Sequence, residues 1–116
     1  MSVIRNIFTS RPEKGGNFFV TVKKIIGFKP INITHYEEAF THRSMALQDK
    51  KGNAFNYERL EFLGDAVLEL VVTEYLYKSY PDKPEGELTM WRAALVNAKM
   101  LAVVAKDLKL GDYLLL

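Results

Sequence analysis

The feature that most limits the possible folds is a proline-free stretch, residues 57–80, whose apolar side chains recur at helical spacing on nearly every side. Asn56 can cap a helix that begins at Tyr57, and Pro81 can end one. The stretch therefore predicts one long helix. Because a helix that is apolar almost all round is usually central, we expect this one to be buried in the middle of the core.

Two shorter helices are predicted before the long one. The segment NFFVTVKKIIGF has apolar residues at helical spacing and Gly27 near its end, although FFVTV alone could form a strand. A second helix is expected over residues 35–41, with Thr34 as the N-cap and Glu37 at the spacing of a capping box. The polar, glycine-containing segment LQDKKGNAF then predicts a loop.

The sequence after the long helix predicts a connector and further helices. PDKPEGE contains two prolines and is interpreted as the connector. The segment LTMWRAALVNAKMLAVVAKDLKLG predicts one or two helices, with Thr89 as a possible cap and Gly111 as the terminator. Since strand-like alternation is almost absent, the predicted fold class is all-α.

Length and composition fit one compact domain with a substantial core, since the chain has 116 residues of which 48% are hydrophobic. The segment TSRPEKGG suggests a hinge, so residues 1–16 are interpreted as a basic N-terminal arm and residues 17–116 as the domain. Basic residues concentrate near the N-terminus, but the net charge of +2 is too small to indicate a nucleic-acid partner by itself.

The same composition bears on the cellular compartment. The chain has no cysteine, which excludes disulfides and thiolate zinc sites and fits a reducing cytosol. No apolar run approaches the roughly 20 residues of a membrane span, and the N-terminus lacks the continuous apolar segment of a secretory signal. We therefore expect a cytoplasmic protein without a membrane partner.

Four acidic residues lie along one side of the predicted long helix, within about 80° of one another on the helical wheel. They are Glu58, Glu61, Asp65 and Glu69. Two acids spaced i and i+4 could give two oxygen ligands to one hard divalent cation, Mg²⁺ or Mn²⁺ rather than Zn²⁺. Gly64 between them suggests that another backbone packs closely there. The alternative is an ordinary solvated acidic face, and spacing alone does not separate the two interpretations.

The motif NYERLEFLGDAVL resembles the signature of the ribonuclease III family, which are metal-dependent endonucleases of double-stranded RNA. GFKPINITHYEEAFTHRS is similar to the family segment that ends in LTHRS, and PEGELTMWRAALVNAKMLAVVAKDLKLGDYLLL is similar to the segment after the signature helix. The resemblance covers residues 18–116. It implies an all-α endonuclease domain that forms a homodimer and uses magnesium, or manganese as a substitute. It also implies cleavage of duplex RNA, ribosomal precursors included, to 5′ phosphates and 3′ hydroxyls.

The resemblance also implies which residues form the site. Glu61 and Asp65 match two metal ligands of the family signature and are the expected catalytic residues. Glu58 matches the first acid of the signature, and Glu85 matches the acid of the EG turn. Both are expected in the acidic cleft, with their roles left open.

Other conspicuous side chains have simpler interpretations. His42 is expected to be a structural hydrogen bonder, and Arg43 to pair with an acid or a helix end. Lys50 and Lys51 are candidate phosphate contacts for RNA, although a solvated surface is the ordinary interpretation. Four aromatic residues are expected in core or dimer packing rather than in a base-stacking platform, namely Phe55, Tyr57, Phe62 and Trp91.

Two departures from the family pattern lead to further expectations. Family members carry a second Asp and Glu pair on a helix beyond the YL.L segment, and bacterial enzymes add a C-terminal double-stranded-RNA-binding domain. Residues 1–116 contain neither, so we interpret the chain as a fragment of a longer enzyme rather than a truncated gene product and expect weak metal binding and little cleavage. The alternative is a non-catalytic ribonuclease III-like module for dimerisation or RNA binding, which the presence of Glu61 and Asp65 disfavours.

Overall fold

The computed structural model describes residues 18–115. In this part of the chain the regular structure is helical, with isolated β-bridges as the only extended pairing, so the predicted all-α class is confirmed. The proposed basic arm, residues 1–16, lies outside the described residues. The helices are α1 Phe18–Ile26, α2 Ile33–Ala39, α3 Glu58–Ser79, α4 Glu85–Leu95 and α5 Ala98–Asp107, with 3₁₀ turns at Arg43–Met45 and Leu110–Tyr113.

The chain divides into two compact units. The described part of the first unit consists of residues 18–60 and 109–115, and the second unit consists of residues 61–108. The first unit therefore contains α1, α2 and the opening turn of α3, while the second contains the rest of α3 with α4 and α5.

The first unit has an apolar core built on the amphipathic face of α1. Phe18 and Val22 of α1 are buried with Phe55, and the Phe18 ring meets the Phe40 ring edge-on at a centroid distance of 5.7 Å. Gly27 ends α1 as predicted, because its positive φ of 83° suits glycine and its N–H donates to the Lys23 carbonyl at 2.9 Å. The alternative of a strand over FFVTV is thus wrong.

Helix α2 begins earlier than the sequence suggested. Asn32 is its N-cap, and the Asn32 side chain accepts a hydrogen bond from the Thr34 N–H at 3.1 Å. The prediction of Thr34 as the cap is therefore wrong. Asn is at least as good a capping residue as Thr, and Asn32 stands two residues before Thr34, after Pro30. Glu37, expected at the spacing of a capping box, is buried, with 1% of its surface exposed.

The boundaries of α3 match the prediction to within one residue at each end, but the predicted burial of α3 is wrong. Among its described residues only Leu76 is buried, and Phe62 is 85% exposed. An all-round apolar helix needs neighbours on every side, whereas the second unit offers two helices of 11 and 10 residues against the 22 of α3. Directly after α3, the ring of Tyr80 packs edge to face on the ring of Trp91 in α4, at a centroid distance of 4.9 Å.

Three smaller expectations in the second half of the chain are also wrong. Apart from its chain neighbours and the backbone of its own helix, no atom of the described structure lies within 4 Å of where a Cβ of Gly64 would stand, so no other backbone approaches it closely. Thr89 lies inside α4, which begins at Glu85 with Pro84 as its N-cap, and Asn97 caps α5 through a bond from the Met100 N–H. Helix α5 ends at Asp107, before Gly111.

The length and apolar composition of a membrane span set a requirement that no single helix of residues 18–115 meets. Helices α4 and α5 meet it only when they are taken together, across a bend of 49°.

Candidate metal-binding carboxylates

Glu61 and Asp65 lie one turn apart on α3, within the second unit, and both side chains are exposed. A separation of four residues places them on the same side of the helix, about 6 Å apart along its axis. Neither carboxylate forms a hydrogen bond or an ion pair with any of residues 18–115. Both therefore keep their oxygen lone pairs available for a cation.

Glu58 belongs to the first unit and is engaged by other residues there. Its N–H donates to the Asn56 Oδ1 atom at 3.0 Å, which confirms Asn56 as the capping side chain at the start of α3. Its carboxylate lies 3.6 Å from an Arg43 Nη1 atom, so the expected pairing of Arg43 with an acid is also confirmed. Because both side chains are largely exposed, this ion pair contributes at most about 1 kcal/mol to stability.

Glu69, the last acid of the stripe, has a partner that the sequence did not predict. Arg92 of α4 places its Nε atom 3.6 Å from the Glu69 carboxylate and donates from Nη1 to the Thr73 hydroxyl at 3.0 Å. The Thr73 hydroxyl donates in turn to the Glu69 backbone carbonyl at 2.6 Å. Glu69 is thus occupied in joining α3 to α4, which leaves Glu61 and Asp65 as the free pair.

Glu85 is the first residue of α4 and is exposed. An acid in the first turn of a helix is stabilised by the unpaired N–H groups and the positive end of the helix dipole. Glu87 occupies the same turn. An acid at position 85 is therefore explained by its place at the start of α4, whether or not it takes part in a functional site.

A family model described as Ribonuclease-III-like matches residues 32–116, which include both free carboxylates and most of the chain. The chain belongs to the ribonuclease III family.

Relatives and solved structures agree with this assignment. Ribonuclease 3 of Zunongwangia profunda is 54% identical over 110 residues, covering 95% of this chain and 45% of the relative. Ribonuclease 3 of Flavobacterium psychrophilum is 49% identical over 115 residues, covering 98% of this chain and 47% of the relative. The chain thus spans about half the length of the curated relatives it matches.

The nuclease domain of ribonuclease III from Campylobacter jejuni is similar in structure, with a TM-score of 0.71 and 42% sequence identity. The match covers 83% of this chain and 63% of that domain. The Campylobacter domain shows structural flexibility in a region involved in dimer formation.

The two free carboxylates of this ribonuclease III chain are the type of oxygen ligand that magnesium prefers, but two carboxylates are few for one site. Magnesium prefers six oxygen atoms in an octahedron and is commonly held by one or two carboxylates with water completing the shell. Across residues 18–115 no group of three or more His, Cys, Asp or Glu side chains is placed to hold a metal ion. Glu61 and Asp65 would therefore hold the ion weakly by themselves.

The loop that carries Lys50 and Lys51 is organised by Asp49. The Asp49 carboxylate accepts hydrogen bonds from the Asn53 and Lys51 N–H groups, both at 2.9 Å. The bond from Asn53, followed by that from Lys51, lowers the pKa of Asp49 from its ordinary value. Lys50 and Lys51 stand exposed at the tip of this ordered turn.

The lowered pKa of Asp49 leads to a prediction about stability in acid. A carboxyl with a depressed pKa stabilises the fold above its unfolded pKa, and this contribution is lost as the pH falls through the folded pKa. The urea midpoint of the parent chain should therefore exceed that of Asp49→Asn at neutral pH, and the two should converge in strong acid. Asp82→Asn, a change at an exposed acid in the second unit, is the control; an Asp49→Asn difference that does not depend on pH would contradict the prediction.

Most of the remaining candidate residues have structural roles in packing. The His42 Nδ1 atom accepts a hydrogen bond from the Ser44 N–H at 3.1 Å, and its ring lies edge-on to Tyr57 at 5.6 Å, so its structural role is confirmed. Phe55 lies in the first core and Trp91 packs on Tyr80, as expected. Phe62 is not in a core, because 85% of its surface is exposed.

Proposed function

We propose that this chain is part of a magnesium-dependent endonuclease that cleaves double-stranded RNA, with structured RNAs such as ribosomal precursors among its substrates. The observation that carries the proposal is the pair Glu61 and Asp65, free and exposed one turn apart on α3 inside the segment that matches the family. Relatives named Ribonuclease 3 at 54% and 49% identity support the reaction class.

In the proposed mechanism Glu61 and Asp65 would hold the metal ion. When bound, magnesium would supply a water of lowered pKa and offset negative charge that develops at the scissile phosphate and the departing 3′ oxygen. No side chain needs to attack the phosphate. The residues that contribute to the proposed reaction are therefore those that would hold the metal ion and orient its bound water. Glu85, in the same unit as this pair, is proposed to add negative potential, and Glu58, three residues before Glu61 on α3, would do so while it is paired with Arg43.

The experiment that tests the proposal compares this chain with an extended protein. In the extended protein the chain is continued at its carboxyl end by the remaining residues of Ribonuclease 3 from Zunongwangia profunda. Because two carboxylates hold magnesium weakly, the chain alone is proposed to cleave little, and the extended protein to cut a uniform RNA duplex. Absence of cleavage by a folded extended protein favours the second candidate, a non-catalytic module for dimerisation or RNA binding.

The exposed apolar surface of the second unit supports a homodimer as the working form. Phe62 lies beside Glu61 and is 85% exposed, and Leu63 is 59% exposed. Clustered exposed apolar side chains of this size mark association surfaces. The solved Campylobacter nuclease domain has a region involved in dimer formation, which favours a second copy of the chain as the partner.

Replacing Phe62 by Asp is expected to weaken self-association at least about tenfold, because burial of a Phe side chain contributes about 1.5–3 kcal/mol. Sedimentation equilibrium of the chain at several concentrations measures the effect. Phe28→Asp is the matched control, since Phe28 is also exposed, at 59%, but lies in the first unit. The prediction would be contradicted if both variants dissociated equally, or if the parent chain stayed monomeric, because Phe62 would then not contribute to an interface.

Lys50 and Lys51 are proposed to contact the RNA backbone. They project from a turn in which the Asp49 carboxylate accepts two backbone hydrogen bonds, and such bonds reduce the loop entropy that is lost on binding. A-form RNA is recognised mainly through phosphates and 2′-hydroxyls, which suits lysine. Binding through them becomes weaker as the salt concentration rises.

A further inference from the structure

Three consecutive residues of the first unit, residues 40–42, bind two distant segments of that unit through their backbone; we call them the junction. The Leu115 N–H donates to the Phe40 carbonyl, and the His42 N–H donates to the Leu115 carbonyl, both at 2.7 Å. The Tyr57 N–H donates to the Thr41 carbonyl at 3.0 Å. The junction therefore joins the segment at Leu115 to the residue that precedes α3.

Thr41 is the buried centre of the junction, with none of its surface exposed. Its N–H donates to the Glu38 carbonyl at 3.1 Å, and its hydroxyl donates to the Glu37 carbonyl at 2.7 Å. Carbonyls in the last turn of a helix lack helical partners, and the Thr41 hydroxyl supplies one for Glu37 at the end of α2. The orientation of the Thr41 backbone, and of its carbonyl, is thus fixed from both sides.

The beginning of α3 is held by the same segment through side chains. The His42 ring lies edge-on to the Tyr57 ring, at a centroid distance of 5.6 Å. Arg43, the next residue, lies 3.6 Å from the Glu58 carboxylate. Tyr57, which precedes α3, and Glu58, the first residue of α3, therefore each have a partner in residues 41–43.

We propose that Thr41 is a positioning residue for Glu58: its hydroxyl fixes the junction, and the junction sets the place of the Tyr57 amide and of the Arg43 side chain that holds Glu58. The inference rests on the proposed function only where it treats Glu58 as part of the acidic cleft of an endonuclease. The geometry itself lies wholly within the first unit.

The first test measures backbone amide exchange by NMR in the chain itself. In the parent chain the Tyr57 and Leu115 amides are expected to exchange as slowly as the Gly27 amide at the end of α1, and much more slowly than the Gly52 amide in its exposed turn. In Thr41→Val, which keeps the shape and removes the hydroxyl, Tyr57 and Leu115 should exchange at least about fivefold faster, the equivalent of one net hydrogen bond. Thr41→Ser, which keeps the hydroxyl, should restore slow exchange.

The second test measures the dependence of duplex cleavage on magnesium concentration in the extended protein. Thr41→Val is expected to raise the magnesium concentration for half-maximal cleavage by about tenfold, with the KM for RNA unchanged and Thr41→Ser close to the parent. A purely structural role would lower the amount of folded protein without moving the magnesium dependence.

Several outcomes would overturn the inference. One is fast exchange of Tyr57 in the parent chain, a measurement that stands even if Thr41→Val does not fold. Others are a uniform acceleration of all first-unit amides in Thr41→Val, or an unchanged magnesium dependence in a variant that has lost Tyr57 protection. If the parent chain shows slow Tyr57 exchange but the unsubstituted extended protein does not cleave, the result would instead contradict the proposed function and leave the junction established.

Discussion

Replacing Glu61 by Gln in the extended protein is expected to reduce cleavage of duplex RNA by more than 100-fold. Loss of a residue that merely supports a metal ligand costs roughly 10–100-fold in affinity or activity, and loss of a ligand should cost more. Gln keeps the shape of Glu but removes the charge that draws a hard divalent cation. Asp65→Asn should have an effect of the same size, and the rate is measured on a uniform RNA duplex with saturating magnesium.

The matched control for this prediction is Glu74→Gln. Glu74 lies on the same helix and is also exposed, but its carboxylate is paired with Lys78 at 2.9 Å. We expect Glu74→Gln to cleave at nearly the parent rate. If Glu61→Gln and Glu74→Gln cleave equally well, Glu61 is not a metal ligand.

Replacing Phe55 by Ala is expected to destabilise the first unit by about 3–5 kcal/mol, the usual loss for a buried Phe. Phe55 is 3% exposed and packs with Phe18 and Val22. Natural domains are stable by about 5–15 kcal/mol in total, so the change removes a large part of the free energy of unfolding. Urea denaturation of the chain, followed by circular dichroism, measures the effect.

Phe28→Ala provides the comparison for Phe55→Ala, because Phe28 lies in the same unit with 59% of its surface exposed. Its urea midpoint should stay close to that of the parent. Equal destabilisation by the two changes would mean that the three-residue core does not govern the stability of the first unit.

Much of the secondary structure could be predicted because its signals are local. Gly27 ends α1 through a positive φ that other residues rarely adopt, and Asn56 starts α3 where an apolar helical pattern begins. The cap of α2 was misplaced because Asn32 and Thr34 are both good capping residues two positions apart, and the sequence does not say which side chain finds a free N–H. Local signals thus identify helices better than they identify boundaries.

The burial of each helix and the contacts of its side chains were harder to predict, because both depend on which other elements pack against that helix. The apolar pattern of α3 indicated a central position, yet the second unit does not surround it. The Arg92 contacts with Glu69 and Thr73 join two helices, and nothing in the spacing of either helix alone predicts them. Thr41 was likewise missed, since its partners at Glu37, Tyr57 and Leu115 meet only in the fold.

The sequence predicted the surroundings of each candidate acid to a different degree. The motif containing Glu61 and Asp65 identified the two acids that the structure leaves free. Helical spacing alone grouped Glu58 and Glu69 with them, although each of these two is paired with an arginine. A sequence pattern places acids on one side of a helix, whereas only the fold shows which of them remain available to a cation.

The most direct test of the central claim is an analysis of the ends produced when the extended protein meets a uniform RNA duplex. With magnesium present, we predict that both strands are cut to 5′ phosphates and 3′ hydroxyls, that chelation of the metal stops the reaction, and that a single-stranded RNA of the same sequence is spared. A folded extended protein that leaves the duplex intact, or one that cuts it equally well without divalent metal, would contradict the assignment of Glu61 and Asp65 as a catalytic metal site.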